Sequence, residues 1–204
     1  MKFELFKRGS SIAAEIIRSF IAIELPDDLR KKIGELEAKL TSRNQNYVRW
    51  VKPESIHLTL NFLGDVQAEK VPEIVKAMEV AAEGIPPFVL RVQDTGVFPN
   101  VRRARVAWVG LSGDVDKLVR LQKNLEIILE PLGFTPEGRD FTPHLTLARI
   151  NDAASQDERQ KFGELVLGTK FEGGVINVDG VSLMRSQLER TGAIYTQLAL
   201  VKLK

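Results

Sequence analysis

Both histidines of the 204-residue chain open the same tetrapeptide, His57-Leu58-Thr59-Leu60 and His144-Leu145-Thr146-Leu147. Imidazole is the side chain whose unperturbed pKa lies nearest neutrality, so a pair can donate one proton and accept another at physiological pH. From average residue usage, a given His is followed by Leu-Thr-Leu roughly once in two thousand times. Two out of two is not an accident of composition. Each tetrapeptide has β-strand alternation, with His57 and Thr59 on one face and Leu58 and Leu60 on the other. His144 and Thr146 stand in the same relation to Leu145 and Leu147. The leucines anchor each strand, and an imidazole beside a hydroxyl is presented outward. The chemistry this offers is acid–base catalysis, provided the fold brings the two copies together.

The elements around the motifs repeat. A strand over 20–23 runs into Pro26, which opens a helix carrying Asp27 and Asp28 in its first turn, where acids suit the helix dipole. Leu29, Ile33, Leu36 and Leu40 continue that helix at helical spacing. The first His strand is expected over 56–62, closed by Gly64-Asp65, and a second helix over 68–82 is stopped by Pro86-Pro87. Strands follow over 88–93, 96–98 and 104–109, then a helix over 114–129. The second His strand spans 144–150, and a shorter helix spans 155–165. The final strands are expected over 171–179, 181–185 and 193–203, the last two forming a hairpin. The histidines are 87 positions apart, each with a proline just ahead, Pro53 and Pro143. The pattern reads as a degenerate internal duplication, not a solenoid. It predicts an α+β, bilobal fold: two antiparallel-rich sheets with outer helices, related by a pseudo-twofold, and a central cleft carrying both His-x-Thr-x motifs.

Composition narrows the chemistry. There is no cysteine, which removes disulfides, thiolate nucleophiles and Cys-based zinc sites. With two histidines as the remaining nitrogen ligands, a transition-metal site is not expected, while counting leaves acidic Mg²⁺ or Ca²⁺ sites open; the expectation is a metal-independent protein with no cofactor. The net charge of +2 imposes no global field, and no apolar run approaches a membrane span. Residues 1–17 are expected to be an N-terminal extension, without secretory-signal character, ahead of a single domain over 18–204. A cytoplasmic monomer is the expectation.

The motifs and their flanks resemble the 2H phosphoesterases, and most closely the RNA 2′,3′-cyclic phosphodiesterases, also named 2′-5′ RNA ligases. The resemblance rests on 18-RSFIAIELP-26, on 50-WVKPESIHLTLNFLG-64, on Gly96-Val97-Phe98 with Trp108-Val109-Gly110, and on 141-FTPHLTLAR-149. It implies metal-independent hydrolysis of RNA 2′,3′-cyclic phosphate ends to 2′-phosphate, with His57 as proton donor and His144 as proton acceptor. The identical motifs do not themselves distinguish the two roles. The reverse reaction, with an RNA 5′-hydroxyl in place of water, would form a 2′,5′ linkage.

In such a reaction Thr59 and Thr146 would donate hydroxyl hydrogen bonds to the non-bridging phosphoryl oxygens. Arg149, Arg103 and Arg105 are the candidate phosphate contacts, with Arg102, Arg49 and Arg139 further arginines near the motifs. Phe141 is a candidate base-stacking surface and Trp50 a second, although both rings suit a core or cleft-wall position better. Two other readings stay open at this stage. One is a non-catalytic RNA-end-binding protein, and the other is a 2H phosphodiesterase acting on small cyclic nucleotides.

Overall fold

A computed structural model describes residues 15–42, 45–136, 138, 140–189 and 192–204. Residues 1–14 of the expected extension, and Arg139, lie outside the described residues. In chain order the elements are β1 (Ile16–Glu24), α1 (Asp27–Leu40), β2 (Val48–Trp50), β3 (His57–Gln67), α2 (Val71–Ala82) and β4 (Phe88–Phe98). They continue with β5 (Val106–Gly113), α3 (Val115–Leu129), β6 (His144–Ile150), α4 (Gln156–Leu167), β7 (Glu172–Val178), β8 (Gly180–Glu189) and β9 (Gly192–Lys202). No described helix is long and apolar enough to cross a membrane.

The strands form two antiparallel sheets, ordered β3-β1-β8-β9 and β2-β6-β5-β4-β7. The order carries the expected twofold correspondence, with each His strand paired to the strand that opens its half, β3 to β1 and β6 to β5. Neither sheet is built from one half of the chain. Strand β4 leaves the first half to join the second sheet, and β8 and β9 return from the chain's end to complete the first. The two sheets thus interlock, and one large apolar cluster runs through both sheets and all four helices, with a smaller cluster of Phe20, Ala22 and Met184 beside it. Leu58, Leu145 and Leu147, the anchoring residues of the motifs, are fully buried in the large one. Truncating such a side chain to alanine costs about 2–5 kcal/mol. The His-x-Thr faces look away from that core.

Several boundaries differ from the sequence reading for identifiable reasons. Strand β1 starts at Ile16, with Ile17 buried, so the fold reaches back into the expected extension. Pro26 is the residue before α1 and has extended backbone angles, so it caps the helix instead of opening it. Strand β3 does not close at Gly64 but runs on to Gln67, and Gly64, at φ 70°, takes a left-handed conformation inside it. The segments 88–93 and 96–98 are one strand, β4, interrupted in pattern by a bulge at Asp94 (φ 61°). The helix expected over 68–82 is a short 3₁₀ turn, Ala68–Lys70, followed by α2, with Pro72 in its first turn. The three-residue β2 has too few positions to show alternation.

Candidate active site

Strands β3 and β6 contact each other where the two sheets meet, bringing the motifs to one junction. Both imidazoles are held by the same device. His57 Nδ1 lies 2.9 Å from the carbonyl oxygen of Ser55, and His144 Nδ1 lies 2.7 Å from that of Thr142. A carbonyl only accepts, so Nδ1 must carry a hydrogen in each case, and Nε2 is the nitrogen whose proton comes and goes. The prolines ahead of each strand belong to these segments: Pro53 opens the short turn Pro53–Ser55, and Pro143 follows Thr142.

The walls around the two rings differ. His57 stacks on Phe20 (centroids 4.5 Å, 28°) and meets Tyr195 edge-on (5.0 Å, 86°). His144 meets Phe98 edge-on (5.0 Å, 86°), and Phe98 leans on Trp108 (5.2 Å, 34°). Trp108 lies over Gly96, where an added Cβ would fall 2.1 Å from the indole, so this Gly96–Trp108 contact builds the wall behind His144. Burial pushes the His57 pKa down, while the Ser55 carbonyl and the Glu24 carboxylate support its proton and Arg30 opposes it. Glu24 is the cross-strand partner of His57 and accepts hydrogen bonds from Ser182 Oγ (2.7 Å) and Gln197 Nε2 (2.6 Å). It is therefore a fixed negative charge beside the imidazole.

Thr59 and Thr146 stand beside the histidines on their strand faces, half-buried, and among the described residues neither hydroxyl has a hydrogen-bond partner. Just past each threonine the strand bulges. On β6 the pairing to β5 jumps from Trp108↔Thr146 to Ala107↔Ala148, so Leu147 is the extra residue. On β3 the pairing to β1 jumps from Ala22↔Thr59 to Ile21↔Asn61, so Leu60 is the extra residue. A bulge reverses the alternation beyond it. Arg149 therefore joins the face of His144 and Thr146, while Ala148 and Ile150 are buried. Phe62 likewise joins the face of His57 and Thr59 and is 58% exposed, 6.2 Å from Phe20. The two faces thus read His-x-Thr-x-x-Phe and His-x-Thr-x-x-Arg. Arg149 also lies close enough to Tyr195, on the other sheet, to favour its ionised phenolate, although burial of the phenol prevails and raises its pKa.

The remaining sequence candidates fall elsewhere. Arg105 faces Asp152 (3.9 Å), an acid it shares with Arg159 of α4, at the junction before the helix. Arg102 and Arg103 belong to a short turn, Val101–Arg103, packed against α4. Phe141 packs against the apolar core, as does Trp50, which meets Phe162 edge-on at 6.0 Å. The structure brings none of these five beside the motifs through a described contact. Phe62, Tyr195 and Glu24 were not singled out from the sequence. For Phe62 the sequence carries no signal, because strict alternation puts polar Asn61 outside and Phe62 in the core, whereas Asn61 Oδ1 is the buried atom. Among the described residues no cluster of three His, Asp or Glu could hold a metal ion.

The family model described as LigT like Phosphoesterase matches residues 23–108 and again 109–195, one copy for each half. Among similar proteins is the RNA 2′,3′-cyclic phosphodiesterase of Methanothermobacter thermautotrophicus, 35% identical over 92% of this chain and 99% of its own. The protein of the same name from Thermotoga maritima is 32% identical over 89% of this chain and 93% of its own. Among solved structures, Escherichia coli LigT in complex with 3′-AMP superposes with a TM-score of 0.75 at 28% identity, covering 93% of this chain and 99% of that one.

Proposed function

This chain belongs to the LigT-like phosphoesterase family, and from that premise we propose that it hydrolyses RNA 2′,3′-cyclic phosphate ends to 2′-phosphates without a metal. The observation that carries the reading is the matched pair of bulged strands. They turn two imidazoles, two hydroxyls and one guanidinium out of the core at a single junction. An anionic phosphodiester is complementary to that set.

In this mechanism His144 Nε2 takes a proton from water as the oxygen attacks phosphorus in line. The bond from phosphorus to the 3′-oxygen breaks, and His57 Nε2–H protonates that oxygen as it leaves. Each proton transfer contributes about 10²–10⁴-fold. Thr59, Thr146 and Arg149 donate to the non-bridging oxygens, where charge gathers in the transition state. Phe62 offers a ring for the terminal base to stack on. The donor role asks His57 to hold a proton against its burial. Glu24 supports that proton before substrate binds, and the phosphate's own negative charge adds to it afterwards. With an RNA 5′-hydroxyl in place of water as the attacking group, the same steps form a 2′,5′ linkage without ATP, and the steps run backwards cleave it.

The test is incubation of the full chain with a short RNA ending in a 2′,3′-cyclic phosphate, in EDTA. Turnover by the unaltered protein, and loss of several orders of magnitude in both His57→Ala and His144→Ala with fold retained, is the expected result. Binding without turnover would instead make this an RNA-end-binding protein, and full activity in either variant would remove the two-histidine mechanism.

A further inference from the structure

The cleft face of the second sheet carries a positive group that the reaction at the cyclic phosphate leaves unused. Arg49, on β2, lies directly opposite Arg149 on β6. Its neighbours Val48 and Trp50 pack against the core, so Arg49 points to the outer side with Arg149. Like charges on directly opposed strand positions repel. No carboxylate compensates here: among the described residues neither guanidinium has an ion-pair or hydrogen-bond partner, whereas Arg30, Arg105, Arg159 and Arg185 all face acids. Two uncompensated guanidiniums side by side suit an anion with more than one phosphoryl group. Arg149 stands next to the catalytic threonine and near Tyr195 of the other sheet. Arg49 is one strand further out, at the sheet's edge.

We propose that Arg49 binds the phosphoryl group on the 5′-oxygen of the terminal nucleoside, while Arg149 serves the cyclic phosphate. This rests on the function proposed above and narrows its substrate class. The preferred substrates are cyclic-phosphate ends that also carry a 5′-phosphoryl group, as every internal position of an RNA strand does, over the bare nucleoside cyclic phosphate. Directly opposed Cβ atoms sit about 4.5–5.5 Å apart, and the two long side chains can diverge from there to reach successive phosphates. An exposed side chain without partners is also one whose replacement leaves the fold undisturbed.

The experiment compares three substrates: adenosine 2′,3′-cyclic phosphate, the same compound bearing a 5′-phosphate, and the dinucleotide ApA ending in a cyclic phosphate. The unaltered protein should show kcat/KM about tenfold higher on the two substrates with a 5′-phosphoryl group. Arg49→Gln should erase about that tenfold ratio, and Arg49→Lys should restore part of it. On a longer single-stranded RNA ending in a cyclic phosphate, the salt slope of log kcat/KM should fall by about 0.7 in Arg49→Gln, the value for one single-strand phosphate contact. A gain confined to the dinucleotide would move the contact to the upstream nucleoside and overturn the proposal. An equal loss on all three substrates would overturn it too, by showing that Arg49 acts on the cleft as a whole. Turnover of all three at one rate would refute this inference and leave the proposed function standing, whereas turnover of none would remove both.

Discussion

Replacing Gly96 with alanine should damage the site without touching a catalytic group. An ideal Cβ at position 96 lies 2.1 Å from Cζ2, 2.3 Å from Cη2 and 2.6 Å from Cε2 of Trp108. Carbon atoms in contact prefer about 3.5–4.0 Å, so the indole must move by more than an ångström. It has little room, with the Phe98 ring centroid 5.2 Å away on one side and position 110 so close on another that only a glycine leaves the ring free of a tight Cβ contact, 3.3 Å from Trp108 Cζ3. Overpacking of this kind costs about 1–3 kcal/mol, and for a chain of this length each kcal/mol lowers Tm by about 2–4 °C. The displacement passes through Phe98 to the edge of His144, so turnover on cyclic-phosphate RNA should fall about tenfold or more. The assay is calorimetry and steady-state kinetics on Gly96→Ala, Trp108→Ala and the double variant. Removing the indole removes the clash, so Gly96→Ala should cost almost nothing in the Trp108→Ala background. Gly96→Ala with unaltered Tm and rate, or fully additive losses in the double variant, would refute the role given to the wall behind His144.

Further expectations come from the same geometry. His57 should titrate by NMR below its ordinary value of 6.5 in the ligand-free protein, and 2′-AMP should move the midpoint up; an unchanged midpoint would detach His57 from the phosphate. Because its folded-state pKa is lowered, His57's contribution to stability is complete above pH 6.5 and lost as pH falls through the lowered value. Arg149→Ala should lower kcat/KM about 10²–10³-fold, the range for removing one donor to a transition-state oxyanion, with Tm unchanged. Phe62→Ala should raise KM on RNA by roughly ten- to a hundredfold, matching about 1–3 kcal/mol of stacking, and leave kcat nearly intact. Glu37, buried on α1 near Glu54, has its pKa pushed up to about 8 by burial first and by that neighbour second. Its raised value means that its contribution is complete below pH 4.5 and lost as pH rises through about 8. Denaturation of Glu37→Gln across roughly pH 5–9 should therefore show a flatter stability curve than the unaltered chain.

The meeting of the two histidine motifs is legible because duplicated motifs carry their own statistics, and β6 occupies the expected positions, 144–150. The two-sheet architecture was legible because helix and strand periods alternate in the same order in both halves. What alternation could not show was the bulge at the fourth motif residue. It inserts one residue, Leu60 or Leu147, without any change in composition. Arg149 is therefore legible only by its nearness to the motif in sequence, while Phe62, at the matching position, is hidden by its core parity. Tyr195 and Glu24 reach His57 only through β9 and β1, a relation set by strand order. The placement of the arginines at 102, 103 and 105 is not legible for the converse reason. Charge density in sequence says nothing of which side of a turn faces the cleft, and Arg105 turns to Asp152 instead.

In the proposed mechanism His57 protonates a departing 3′-oxygen while His144 activates water. The most direct measurement is the position of phosphate in the product of RNA 2′,3′-cyclic phosphate hydrolysis, resolved chromatographically against 2′- and 3′-phosphate standards. The predicted product is 2′-phosphate alone. A 3′-phosphate product would contradict this mechanism, because the 2′-oxygen would then be the group that leaves and receives the proton.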